Sequence, residues 1–127
     1  MKFRVWDKET NYLDYDVRIT STSKYEKVEV LDGFSDWREI KENDYVIMRN
    51  TGLKDKKGNE IYEGDICKSY NGFETEYNKI KWSDKHCTWL IEGDLTVDYL
   101  KDFITHSSLE IVGNIYEDSE LLDEVEE

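Results

Sequence analysis

Several residues in this sequence are of types that do chemistry. His86-Cys87, with Cys67 and His106, offers the imidazole and thiolate ligands that zinc takes. A structural zinc site draws four ligands, commonly as Cys-x-x-Cys or His-x-x-x-His pairs, and neither spacing occurs. Adjacent strand residues such as His86 and Cys87 also point to opposite faces. The cysteines therefore read as reduced thiols, and a buried Cys behaves as a small hydrophobe. Glu63 and Asp65, and likewise Glu92 and Asp94, sit two apart and on a strand would share a face, as metal-dependent nucleases require. Thirty acids in 127 residues produce such spacings by chance, however, and no companion His or Lys arrangement singles a pair out. Neither a Gly-x-Ser-x-Gly elbow nor a Gly-rich nucleotide loop is present. The expectation is a non-enzyme with no catalytic residue, no metal and no cofactor.

Two further groups could bind rather than react. Lys54, Lys56 and Lys57 form the one basic patch in an acidic chain, a candidate contact for phosphate or an acidic partner. No Walker-type lysine motif accompanies them, which favours a solvated hairpin tip. Tyr70, Phe73, Tyr77, Trp82 and Trp89, near Lys68, Lys79, Lys81 and Lys85, suggest a stacking platform for single-stranded nucleic acid. The stronger expectation is that alternate rings fill the core, because a stacking groove needs positive charge.

The elements that must position these residues are mostly strands. Leu13, Tyr15, Val17 and Ile19 alternate with Asp14, Asp16 and Arg18, the period of a half-buried strand. Residues 25–31 repeat the pattern and end at the turn signal Asp32-Gly33. Residues 45–49 form a short apolar run, and residues 66–70 lead into Asn71-Gly72, a strong hairpin signal, with residues 73–77 returning. Residues 80–82, 88–91 and 109–112 supply further short strands. Helical signals ahead of the C-terminal tail are few, at residues 36–41 and at Leu95, Tyr99, Leu100 and Phe103. The expected fold is mainly β, a small barrel- or sandwich-like domain over residues 1–116 with minor short helices.

The remaining residues, 117–127, form an acidic tail. Seven of its residues are acids, and without them residues 1–116 carry 23 acids against 17 bases, a net of -6 rather than -13. Ser119 ahead of Glu120-Leu121-Leu122-Asp123 reads as the cap of a single helical turn. The charge argues against a nucleic-acid partner, since duplex binding takes clustered Lys and Arg. No apolar run reaches the roughly 20 residues that span a bilayer, and the opening Met1-Lys2-Phe3-Arg4 is not a signal peptide. A cytoplasmic protein is expected.

The most distinctive stretch runs from Asn50 to Ile66. Gly52, Gly58 and Gly64 mark tight turns, and Asp65 is placed to accept N–H bonds that hold one of them. Thr51-Gly52-Leu53-Lys54-Asp55-Lys56, followed by Gly58-Asn59-Glu60-Ile61-Tyr62-Glu63-Gly64-Asp65-Ile66, resembles the signature of the YopX family of bacteriophage and prophage proteins. Lys2-Phe3-Arg4-Val5-Trp6-Asp7 resembles the family's opening, and Ile111-Val112-Gly113-Asn114-Ile115-Tyr116-Glu117 its closing motif. The resemblance implies a small, mostly β, phage-encoded protein in a bacterial cytoplasm, and it carries over no catalytic residues. Trp6, Gly52, Gly58, Tyr62, Gly64, Asp65, Gly113 and Tyr116 are what turns and a small core need, so these motif residues read as structural.

The leading functional expectation is thus a protein-interaction module that docks on a host or phage protein. A DNA-mimicking inhibitor of a host DNA-binding protein and a single-strand binder using the lysines and rings are the alternatives. Homo-oligomerisation through edge strands is a further expectation. The aromatic side chains are expected to be used up in building the strand shell.

Overall fold

The computed structural model describes residues 2–70, 72–93 and 97–123. The fold is mainly β, with curled sheets that include a half-barrel. It divides into two compact units, Met1–Arg49 and Asn50–Glu127.

In the first unit β1 (Phe3–Asp7) lies between β2 (Tyr12–Asp14) and the first half of a long strand that starts at Tyr45. A second antiparallel sheet has the order β3 (Val17–Ser21), β4 (Glu26–Leu31), β5 (Trp37–Ile40). The inward positions of both sheets meet in one aliphatic cluster. Val5 comes from one sheet and Val28, Val30 and Ile40 from the other, with Val17, Ile19, Tyr45 and Ile47 packed around them. Residues 13–19 do not form the one strand that their alternation predicts. The chain turns at Tyr15-Asp16 and changes sheets there, as a sandwich requires wherever one sequence run serves both layers. Residues 36–41 are also corrected from helix to strand. Arg38 and Ile40 face inward while Trp37 and Glu39 face out, a period of two fixed by pairing with β4.

In the second unit the remainder of β6 (Tyr45–Lys54) pairs with β7 (Glu60–Tyr62). An antiparallel sheet follows, built from β8 (Asp65–Tyr70), β9 (Thr75–Ser83), β10 (Thr88–Glu92), β11 (Val97–Tyr99) and β12 (Leu109–Asn114), in the order β11-β10-β9-β8-β12. Its core is Ile61, Cys67, Ile80, Ile91 and Leu109, closed over by Leu100, Phe103 and Ile104 of α1 (Leu100–His106). These three helix residues sit at i, i+3 and i+4, the spacing of one helix face. The helix is shorter than the sequence predicts: Tyr99 pairs with Leu90 instead, and Leu95 falls outside the described residues. Asn71 of the expected hairpin turn also falls outside them, and Phe73 lies in the loop rather than the returning strand. A last helical turn, α2, spans Glu120–Asp123, and of the tail residues Glu124, Val125, Glu126 and Glu127 are beyond the description.

The expectation that alternate rings fill the core is corrected. The inward positions of β9 are Glu76, Asn78 and Ile80, so Tyr77 has the other parity. Tyr70 and Phe73 are 63% and 92% exposed, and Trp82 and Trp89 meet edge-on at 5.1 Å while only partly buried. Trp6 and Tyr62 are the buried aromatic residues of the described core. Among the described residues no helix is long and apolar enough to cross a membrane.

Candidate functional site

The residues of the distinctive stretch hold turns and cover an edge. Thr51-Gly52 forms a bulge where β6 and β7 shift register, with Gly52 at φ +82° and Thr51 Oγ1 donating to the Ile61 carbonyl at 2.7 Å. Asp55 sits at the heart of the following loop. It is buried, and its carboxylate accepts N–H bonds from Lys57 at 3.0 Å, Asn59 at 2.8 Å and, across 56 positions of sequence, Ile111 at 3.1 Å. Lys56 N–H donates to the Leu109 carbonyl at 3.1 Å. The loop therefore covers the outer edge of β12, where an open edge would otherwise offer unpaired groups. Further along, Tyr62 N–H donates to the buried Asp65 at 2.7 Å, and the Gly64 carbonyl accepts from Ile115 at 2.9 Å. Gly64 has φ +85°.

The closing motif completes the junction. Asn114 is buried, and its side-chain oxygen accepts the N–H groups of Tyr116 and Glu117 at 3.0 Å each. Asp118 folds back to accept the Asn114 N–H at 3.1 Å, directly over Gly113. Tyr116 itself is 36% exposed, so its ring adds little to the core. Asp55, Asn114 and Asp118 were not singled out by sequence reasoning. An Asp three residues ahead of a Gly, as in Asp55 to Gly58, is the turn signal that could have found the first of them.

Lys54, Lys56 and Lys57 lie exposed around this loop. Lys57 Nζ is 3.1 Å and Lys56 Nζ 3.9 Å from Glu110 Oε2, so one carboxylate faces two of the three charges. Lys79 and Lys81 likewise both pair with Glu92. Cys67 is buried and Cys87 exposed, far from forming a ligand set: among the described residues no three of His, Cys, Asp and Glu are placed to hold a metal ion. Asp94, half of one carboxylate pair, falls outside the described residues.

Polar and aromatic groups do gather in the first unit. A cleft of about 500 Å³ opens at the Tyr15-Asp16 corner, lined by Tyr12, Tyr15, Asp14, Asp16, Asp32 and Arg38 over an aliphatic base of Val30 and Leu31. Tyr12 stands opposite Asp7 in the β1–β2 register, and Asp14 opposite Val5, which puts all four side chains on one face of the strand pair. Asp7 is fully buried and accepts from Arg38 Nη2 at 2.8 Å and from Glu9 N–H at 3.0 Å. Tyr15 is held from below: Arg4 Nη1 lies 3.3 Å from its hydroxyl and the guanidinium 6.0 Å from its ring centre. The lining holds no His, Cys, Ser or Lys; its polar groups are Thr10, the tyrosine hydroxyls, the carboxylates and Arg38. Carboxylates, a guanidinium and phenol rings together form a set suited to binding charged groups.

Electrostatics give these carboxylates opposite tendencies. Burial alone would raise Asp55, but the N–H bonds from Ile111, Asn59 and Lys57 outweigh it and hold its pKa below the ordinary value. For Asp7 burial is likewise outweighed, by Arg38 and by the Glu9 and Thr10 N–H groups. Asp14 goes the other way, raised by burial and by the nearby Asp7 charge. A lowered folded-state pKa means that Asp55 and Asp7 bind protons less readily folded than unfolded. Their contribution is complete above the ordinary Asp pKa of about 3.9 and is lost as pH falls through their lowered values. Asp14, by the same linkage, favours the fold when protonated and offsets part of that loss. Urea unfolding between about pH 7 and pH 2 is therefore expected to show stability falling on the acid limb. The limb should flatten in Asp55→Asn; a variant profile parallel to the wild type would contradict this assignment.

A family model described as YopX protein matches residues 2–123. The structure of protein EF1440 from Enterococcus faecalis is similar at 26% identity and a TM-score of 0.62, covering 95% of this chain and 96% of its own. That of protein yopX from Bacillus subtilis is similar in fold, with 19% identity, a TM-score of 0.70, and 96% and 98% of the two chains covered. No curated protein matches the sequence.

Proposed function

The chain belongs to the YopX family, and from that premise we propose that it is a non-enzymatic protein-interaction module, phage- or prophage-encoded and acting in the bacterial cytoplasm on a host or phage protein. One observation carries the reading. Large rings stand in solvent while the buried Asp7, Asp55 and Asp65 are occupied in holding turns: Phe34 is 89% exposed, Tyr12 63%, Tyr25 56% and Tyr15 55%. Single exposed rings are ordinary, but Tyr12 and Tyr15 share one cleft, and Phe34 follows Asp32-Gly33 of its rim. Aromatic residues are enriched at interfaces because they bury large area at low entropic cost. The acidity of the chain would steer a basic partner.

The test is affinity capture by the tagged full chain from infected cells. One stoichiometric protein is expected, with recovery reduced in Tyr12→Ser/Phe34→Ser, whose replaced rings are already exposed. Recovery of nothing above background, or turnover in a hydrolase screen with Mg²⁺ or Mn²⁺, would count against the reading.

A further inference from the structure

We infer that the cleft at the Tyr15-Asp16 corner is the seat for a basic side chain, arginine or lysine, presented by the protein partner. The inference deepens the interaction reading and rests on it. Its first support is charge balance inside the cleft. Arg38 is the one cation in the lining, and its guanidinium is already matched by Asp7 at 2.8 Å. Asp14, Asp16 and Asp32 are then left as an excess of negative charge around the opening. An anion, a phosphate included, meets that excess at once and is repelled, whereas a cation is drawn in.

The second support is the aromatic wall. Tyr12 and Tyr15 line the cleft with 63% and 55% of their surface open to solvent, and phenol faces attract ammonium and guanidinium groups. Tyr15 does not have to be ordered on binding, because Arg4 already grips it from the protein side. The rim is equally set: Asp32 Oδ1 accepts Phe34 N–H at 2.8 Å and Asp36 N–H at 2.9 Å, fixing the β4–β5 loop. Preorganised walls reduce the entropy lost on association. The third support is size. About 500 Å³ falls within the range of small-ligand clefts and exceeds what a bare metal ion fills, while Val30 and Leu31 at the base suit the methylene stem that Lys and Arg carry behind their charge.

The experiment uses the ¹⁵N-labelled full chain and an acetylated, amidated peptide of alternating Gly and Arg, with its Gly-citrulline counterpart as the neutral control. Titration at low salt should shift amides of residues 10–16, 30–33 and 38, and the citrulline peptide should shift none. Tyr12→Ser/Asp16→Asn, both replaced at exposed positions, should weaken the arginine peptide at least about tenfold. Glu39→Gln, which removes one charge from the opposite face of the same unit, should change it by less than about twofold. Equal weakening by the two variants would show that overall acidity alone attracts the peptide, and would overturn the inference. So would shifts elsewhere, equal binding of the citrulline peptide, or Ca²⁺ displacing the arginine peptide from the same amides. Captured partner that is retained by Tyr12→Ser/Asp16→Asn but lost on Phe34→Ser would sink the cleft assignment and leave the interaction reading standing.

Discussion

Asp55→Ala should lower stability by about 4 kcal/mol, a large fraction of what a domain possesses. The carboxylate holds three backbone N–H groups, from Lys57, Asn59 and Ile111. Bonds to a charged acceptor contribute roughly 1.5–3 kcal/mol each, less when removed together, and each N–H left without a partner adds a desolvation cost. Asp55→Asn retains an acceptor and should lose about half as much. The alanine variant should also associate with rising concentration, because release of the loop bares the β12 edge that Asp55 and Lys56 cover. Urea unfolding and light scattering read the two effects separately. A loss under about 1 kcal/mol would mean that the loop is not anchored as described.

Gly113→Ala is expected to be the next most damaging, at about 2 kcal/mol. A Cβ at that position would meet the Asp118 carboxylate, with Cγ at 2.6 Å and Cβ at 2.8 Å. Asp118 cannot move away without releasing the Asn114 N–H. Gly58→Ala separates this crowding from backbone strain. Gly58 has φ +86° with nothing within 4 Å of an added Cβ, so its alanine variant carries only the left-handed penalty of about 1 kcal/mol. Equal losses in the two variants, measured by denaturant unfolding, would contradict the contact with Asp118.

Much of the architecture was legible because strand period is a local signal. The alternation at residues 25–31 and the short apolar run at residues 88–91 need no knowledge of partners. What the sequence hid were features set by distant pairing. Residues 37–40 look like a helical turn until β4 fixes their parity, and the corner at Tyr15-Asp16 exists because two sheets share one run of chain. The role of Asp65 could be read from its place beside a Gly, whereas the Asp55–Ile111 bond spans 56 positions and leaves no mark in either neighbourhood. The cleft was invisible for the same reason. Tyr15 belongs to an alternation that reads as ordinary core, and only the register with β1 puts Tyr12 beside Asp7 and Arg38. The aromatic residues, expected inside, are largely outside because aliphatic side chains already fill both cores.

The loops at residues 55–59 and 113–118 form a framework, and the proposed recognition surface lies apart from them in the sequence, at residues 10–16 and 30–38 of the first unit. Hydrogen exchange of the full chain, alone and with its captured partner, tests that separation directly. Slowed exchange is predicted in residues 10–16 and 30–38 with none added at residues 55–59. Protection centred on the Lys54, Lys56 and Lys57 loop, with residues 10–16 and 30–38 unchanged, would contradict it.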